Sequence, residues 1–175
     1  MNPKTQTQRN LQRERRQRGE DFQAEMRRSW FEIPNCYRVR IPDGATTRPG
    51  DELIITQDVN ILAEHKRTKG KKFELSFLRV NQVRGLIDFD EVIERNVGLV
   101  FVSFHNPEQG LDKAFAIRLI PAIKYMERKG RWYITLDELE HHSRTGKYLA
   151  VVIPRLRRAE PTYDLKGVVE CCRYL

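Results

Sequence analysis

Gly50-Asp51-Glu52-Leu53-Ile54-Ile55-Thr56-Gln57-Asp58-Val59-Asn60-Ile61-Leu62-Ala63-Glu64-His65-Lys66 is the stretch that decides how this chain is read. Leu53-Ile54-Ile55 and Ile61-Leu62-Ala63 are short apolar runs. The polar segment Gln57-Asp58-Val59-Asn60 interrupts them as a hairpin connection does, so two antiparallel strands are expected. Pro49-Gly50 supplies a turn and leaves Asp51 at the start of the first strand. Glu64 and Lys66 stand two apart on the second, and because strand side chains alternate, both point to one face while His65 points to the other. Folding the hairpin then brings Asp51 beside Glu64.

Upstream, Phe22, Met26 and Trp30 recur every four residues, which predicts a helix over about Glu20–Trp30 that starts near Gly19. Residues 1–18 carry Lys4, Arg9, Arg13, Arg15, Arg16 and Arg18 among Gln and Asn, with Leu11 the one large apolar residue after Met1. Such a segment has no core to bury, so a flexible basic arm is expected over 1–18 and a folded domain over 19–175. Tyr37-Arg38-Val39-Arg40-Ile41 alternates apolar and basic residues as a strand with one wet face, and Pro42-Asp43-Gly44 turns it.

Downstream, the basic run Lys66-Arg67-Thr68-Lys69-Gly70-Lys71-Lys72 is read as a turn, and Val83, Leu86, Ile87, Val92 and Ile93 place a second helix over about Val80–Arg95. Gly98-Leu99-Val100-Phe101-Val102-Ser103-Phe104 suits a central strand buried on both faces. Ala114 to Ile120 reads as another strand, Pro121 as the opening of a short helix, and Thr135 with Glu138 as a capping box. Tyr148 to Ile153 reads as a late strand or an extended segment, and Tyr163 to Tyr174 as a C-terminal helix. The order αβββαββα with minor elements after it predicts an α/β fold with a mixed central β-sheet flanked by helices.

The 175 residues suffice for one ordinary domain. No apolar run approaches the roughly 18 residues of a bilayer span, so no membrane partner and a cytoplasmic location are expected. A net charge of +8 favours a polyanion such as DNA, because each bound phosphate releases condensed counterions. Cys36, Cys171 and Cys172 have neither a CxxC spacing nor an even count, and read as reduced, mostly buried thiols. His141 and His142 are adjacent on a helix, diverge by about 100°, and are poorly placed to share a metal.

Asp51, Glu64 and Lys66 are the residue types that phosphodiester hydrolysis uses: carboxylates hold a divalent cation, and a cation neutralises the charge that develops on phosphorus. Mg2+, with Mn2+ as an alternative, prefers such oxygen ligands, and the backbone carbonyl of His65 is a further candidate. Arg13, Arg15, Arg16, Arg18, Arg38, Arg40, Arg67, Lys69, Lys71 and Lys72 are candidate phosphate contacts. Phe73, Phe77 and Leu78 are assigned to the core, with stacking on a splayed base as the other use of an aromatic beside a basic loop.

Together these residues form a PD-(D/E)xK pattern, with a helix before it and a helix bearing Gln82 after it, and the chain resembles that nuclease superfamily and its restriction-endonuclease-like core. Arg18-Gly19, Glu64-His65-Lys66-Arg67-Thr68, Phe73 nine residues ahead of Gln82, and Val97-Gly98-Leu99-Val100-Phe101-Val102 resemble the RecU-type Holliday junction resolvases, block by block and in the same order. The resemblance implies that Asp51 and Glu64 hold Mg2+, that Lys66 orients water or stabilises the transition state, and that Gln82 supports the site. It also implies a homodimer that resolves four-way DNA junctions in recombination and repair.

Two departures stand out. The family shows a glutamate where this chain has Gln23, and Glu20, Asp21 or Glu25 are the acids available to replace it. The family also carries a stalk insertion before the metal aspartate, where this chain has only Pro42 to Gly50. The missing stalk keeps open a nuclease for other branched or duplex DNA, and Gln23 keeps open a catalytically inactive DNA-binding or strand-pairing accessory protein.

Overall fold

The computed structural model describes residues 3–42, 48–146 and 149–172, with the backbone alone for 3–7 and 172. In chain order the regular elements begin with α1 (Pro3–Trp30), β1 (Tyr37–Arg40), β2 (Glu52–Ile55), β3 (Asn60–Thr68), β4 (Lys72–Glu74), α2 (Val80–Asp90) and β5 (Asn96–Asn106). They continue with β6 (Leu111–Arg118), α3 (Leu119–Arg128), β7 (Tyr133–Thr135), α4 (Leu136–Arg144), β8 (Ala150–Val152), β9 (Arg155–Leu156), β10 (Thr162–Tyr163) and α5 (Lys166–Cys172).

Six strands form one mixed sheet in the order β1-β2-β3-β5-β6-β8. The neighbours β3 and β5 are parallel, from Asn60 opposite Asn96 to Thr68 opposite Phe104, because α2 carries the chain back across one face between them. The other pairings are antiparallel, and Gly110, at φ 65°, closes the β5–β6 connection in the left-handed region that glycine tolerates. The expected mixed sheet between helices is thus the architecture found.

Strand alternation divides the core into two layers. Ile61, Ala63, Val97, Leu99 and Phe101 face Phe22, Met26 and Trp30 of α1, with Leu165 and Val168 at the C-terminal helix. Leu62, Val100, Val102, Phe115 and Ile117 face Leu86, Leu119, Ala122, Met126 and Leu139 on the opposite side. Both faces of β5 are covered, which explains its nearly unbroken apolar sequence. A side chain at Gly98 would have its Cβ 2.4 Å from the Leu86 carbonyl oxygen, so α2 rides closer to β5 than any other residue allows.

Several expectations need revision. The helix predicted to start near Gly19 is continuous from Pro3, so the arginine-rich segment extends α1. Strand β3 runs to Thr68, through the first residues read as a basic turn, and β4 pairs with β7 in a ribbon that had no periodic signal. Helix α2 stops at Asp90, short of the predicted Arg95, and α3 opens at Leu119, ahead of Pro121. The capping box is where it was expected: Glu138 N–H donates to Thr135 Oγ1 at 3.3 Å, and Thr135 N–H to Glu138 Oε2 at 3.0 Å. Asp43, Gly44, Tyr148 and Tyr174 lie outside the described residues. Among the described residues, no helix is long and apolar enough to cross a membrane.

Candidate active site

The β2–β3 register pairs Glu52 with Ala63, and one step further it sets Asp51 opposite Glu64. Asp51 is fixed from the backbone outward, since its N–H donates to the Ala63 carbonyl at 2.7 Å. Its carboxylate is buried and takes donors on both oxygens. Arg48 donates to Oδ1. Oδ2 accepts from His65 N–H at 2.9 Å and from Gln23 Nε2 at 3.2 Å, with His65 Nδ1 at 3.3 Å. Burial alone would raise the Asp51 pKa, but the His65 hydrogen bonds and charge, aided by Arg48, outweigh it and hold the carboxyl below its ordinary value.

Glu64 is the opposite case. It is buried on the α2 face of β3, and its Oε1 accepts from Lys66 Nζ at 2.7 Å. Its Oε2 is buried with no hydrogen-bond partner. Burial first, and then the charge of Asp51, push its pKa up against the pull of Lys66. Glu64 Oε2 is thus a buried acceptor without a donor, in the cross-strand position from Asp51, and a cation is the kind of partner that would satisfy it. Asp51, Glu64 and the His65 carbonyl match the donor chemistry of Mg2+, which is commonly held by one or two carboxylates with water and substrate phosphate filling the rest. Among the described residues there is no cluster of three or more His, Cys, Asp or Glu that could hold a metal ion.

Gln82 sits buried in the first turn of α2, where its Oε1 accepts from the Arg79 N–H at 2.9 Å. That helix is anchored to the Asp51 segment by Asn81 Nδ2, which donates to the Arg48 carbonyl at 2.7 Å. Gly85 permits the contact, because a Cβ there would stand 2.3 Å from the Pro49 Cβ.

The acids proposed to replace a helix-one glutamate are committed elsewhere. Glu20 accepts from Arg16 at 2.8 Å and Asp21 from Gln17 at 2.9 Å, both on the exposed side of α1. Glu25 is buried between two guanidinium groups, paired with Arg67 and, at 2.7 Å, with Arg155. The residue that reaches Asp51 from α1 is Gln23 itself.

The basic candidates separate sharply. Arg67 was expected at the DNA surface, but its side chain is 3% exposed. It pairs with Glu25, donates to Ser103 Oγ at 3.0 Å and to Tyr163 Oη at 3.2 Å, and lies over the Phe22 ring. Period-2 alternation is the cause: 67 shares its face with His65 and Ala63. Arg38 pairs with Glu52 at 2.6 Å. Lys69 lies 3.5 Å from Glu108, and Lys72 covers the Tyr133 ring at 4.4 Å. Arg13, Arg40 and Lys71 are exposed, Arg16 pairs with Glu20, and Arg15 and Arg18 flank a groove beside Lys66. Two site groups escaped sequence reasoning, the Arg48 guanidinium and the His65 imidazole.

No family model and no curated protein sequence matches the chain. Among solved structures, it is similar to Archaeoglobus fulgidus Hjc, a Holliday junction resolvase from an archaeal hyperthermophile, with a TM-score of 0.42 and 14% identity over 59% of this chain and 77% of that one.

Proposed function

We propose that this chain is a divalent-metal-dependent endonuclease that cuts DNA at four-way junctions, acting as a homodimer of the RecU type. One observation carries the reading: Asp51 and Glu64 stand opposite each other, Lys66 Nζ lies 2.7 Å from Glu64, and the second Glu64 oxygen is buried without a partner. In this reading Asp51, Glu64 and the His65 carbonyl hold Mg2+ or Mn2+, which supplies an activated water and charge neutralisation at phosphorus. Lys66 stabilises the charge that develops in the transition state. Arg48, Gln23 and His65 orient Asp51, and Gln82 fixes the start of α2 against the site. A dimer suits a two-fold symmetric junction, which presents two equivalent phosphates to two equivalent sites.

The saturation of Asp51 by Arg48, Gln23 and His65 favours one second reading, a DNA-binding accessory protein whose site has lost its metal. Labelled four-way junction, fork and linear duplex, each incubated with and without Mg2+, separate the two. Paired symmetric nicks in the junction, dependent on Mg2+ and lost in Lys66→Ala, support the nuclease. Tight binding with no cleavage of any substrate in Mg2+ or Mn2+ overturns it in favour of the accessory protein.

A further inference from the structure

Helix α1 does not stop where its core face stops. Phe22, Met26 and Trp30 pack on the sheet, and the same stripe continues toward the N-terminus as Arg18, Arg15 and Leu11, at the three- and four-residue spacing that keeps side chains on one helical face. This half of the helix overhangs the end of β3 and the turn into β4. Between them lies a groove of about 740 Å3, walled by Leu11, Arg15 and Arg18 on one side and by Lys66, Lys69 and Phe77 on the other.

Two features of this groove go together poorly in a mere surface. Its charged side chains are mainly cationic, and it opens directly onto Lys66. Its walls also hold two large apolar side chains: Leu11 is 51% exposed in an otherwise polar segment, and Phe77 is only partly covered by the core, edge-on to Phe73. Phe73 and Leu78, its neighbours, are buried. Duplex DNA offers a basic groove phosphates and sugars, while its bases stay stacked inside. An apolar wall gains contact only with a base whose face is free.

We propose that the groove seats an unpaired DNA strand, with Arg15, Arg18 and Lys69 on its phosphates and a splayed base between Phe77 and Leu11. The placement beside Lys66 rests on the nuclease reading above, and makes the preferred substrate one whose strand is unpaired next to the cut, as at a branch point. Loss of one base–aromatic stack weakens binding by roughly 5- to 150-fold.

The test is binding by the full chain in EDTA, so that hydrolysis plays no part, of a 2-aminopurine-labelled oligothymidylate, a fork with the label at its branch, and a matched duplex. Phe77→Leu is compared with wild type, and Leu11→Ser probes the same groove from a half-exposed position. The expected result is quenching of the unpaired label on binding, lost in both variants, and a loss of single-strand and fork affinity about tenfold larger than the loss for duplex. Arg15→Gln and Arg18→Gln should each flatten the salt dependence of single-strand binding by about 0.7 in slope. Equal losses for duplex and single strand, or unchanged quenching in both apolar variants, would overturn the assignment. Strand selectivity without cleavage in Mg2+ would remove the nuclease reading and leave the groove, whereas junction cleavage with no selectivity would do the reverse.

Discussion

Replacing Gln23 by glutamate puts the account of the site under the most strain. The Gln23 amide donates to Asp51 Oδ2 at 3.2 Å, and the exchange replaces that donor with a second negative charge at the same point. A hydrogen bond to a charged group is worth about 1.5–3 kcal/mol. Two carboxylates roughly 4 Å apart repel by about 4 kcal/mol at an effective dielectric of about 20, a figure that solvent around the half-buried Gln23 reduces to about 1–2 kcal/mol. A net loss of about 3 kcal/mol is therefore expected without metal, which lowers the melting temperature by about 6–12 °C in a domain of this size. In the proposed site the added carboxylate would become a ligand, so occupancy by a divalent cation at about 100 times its dissociation constant restores about 2.7 kcal/mol and offsets most of that loss. Thermal melts of wild type and Gln23→Glu, each in EDTA and in a Mg2+ series, read both effects, and cleavage in Mg2+ should quicken in the variant. Equal stability in EDTA, or a Mg2+ response no larger than that of wild type, would refute the reasoning.

Two further outcomes follow from the same contacts. Arg67→Gln should cost about 2 kcal/mol, because the buried Glu25 loses one of its two guanidinium partners and keeps Arg155, and it should lower the melting temperature by about 4–8 °C. Lys69→Gln should leave the melt in place and weaken DNA binding, which separates the structural cation from the surface one. For Glu138, burial opposes the charge, but hydrogen bonds from the Thr135 N–H, the Tyr125 and Thr135 hydroxyls and Arg131 outweigh it and hold its pKa at about 2, against an ordinary 4.5. Its stabilising contribution is present above pH 4.5 and fades as the pH falls toward about 2. The melting difference between wild type and Glu138→Gln should close over that window, and a constant difference would contradict the assignment.

What could be read in advance was whatever depended on local period. Strand alternation sufficed to place Glu64 and Lys66 on one face, and the hairpin sufficed to set Asp51 opposite them. The same rule points Arg67 inward beside His65, although by composition it belongs to the basic run. Leu11 and the arginines looked like a tail because they lack a core of their own. The pairs Arg16 with Glu20 and Gln17 with Asp21, at helical i,i+4 spacing, were the available sign that the helix continues. Other features were out of reach. Arg48 lies in a segment without periodicity, and its neighbourhood is set by Asn81 and Gly85 on a helix far along the chain. Strand alternation turns the His65 imidazole away from Glu64 and Lys66. It does face α1, stacked on Phe101, yet its Nδ1 still reaches the Asp51 carboxylate just ahead of β2.

The central claim is that Asp51 and Glu64 form a metal-dependent hydrolytic centre, and cleavage of one labelled four-way junction by wild type and Glu64→Gln tests it most directly. The amide keeps the size of the side chain and removes the charge that would hold the cation. The account predicts Mg2+-dependent strand cleavage by wild type, abolished by EDTA, and a rate at least about 100-fold lower in Glu64→Gln with junction binding retained. A Glu64→Gln protein that cuts at the wild-type rate, or a folded, junction-binding wild type that cuts nothing in Mg2+ or Mn2+, would contradict it.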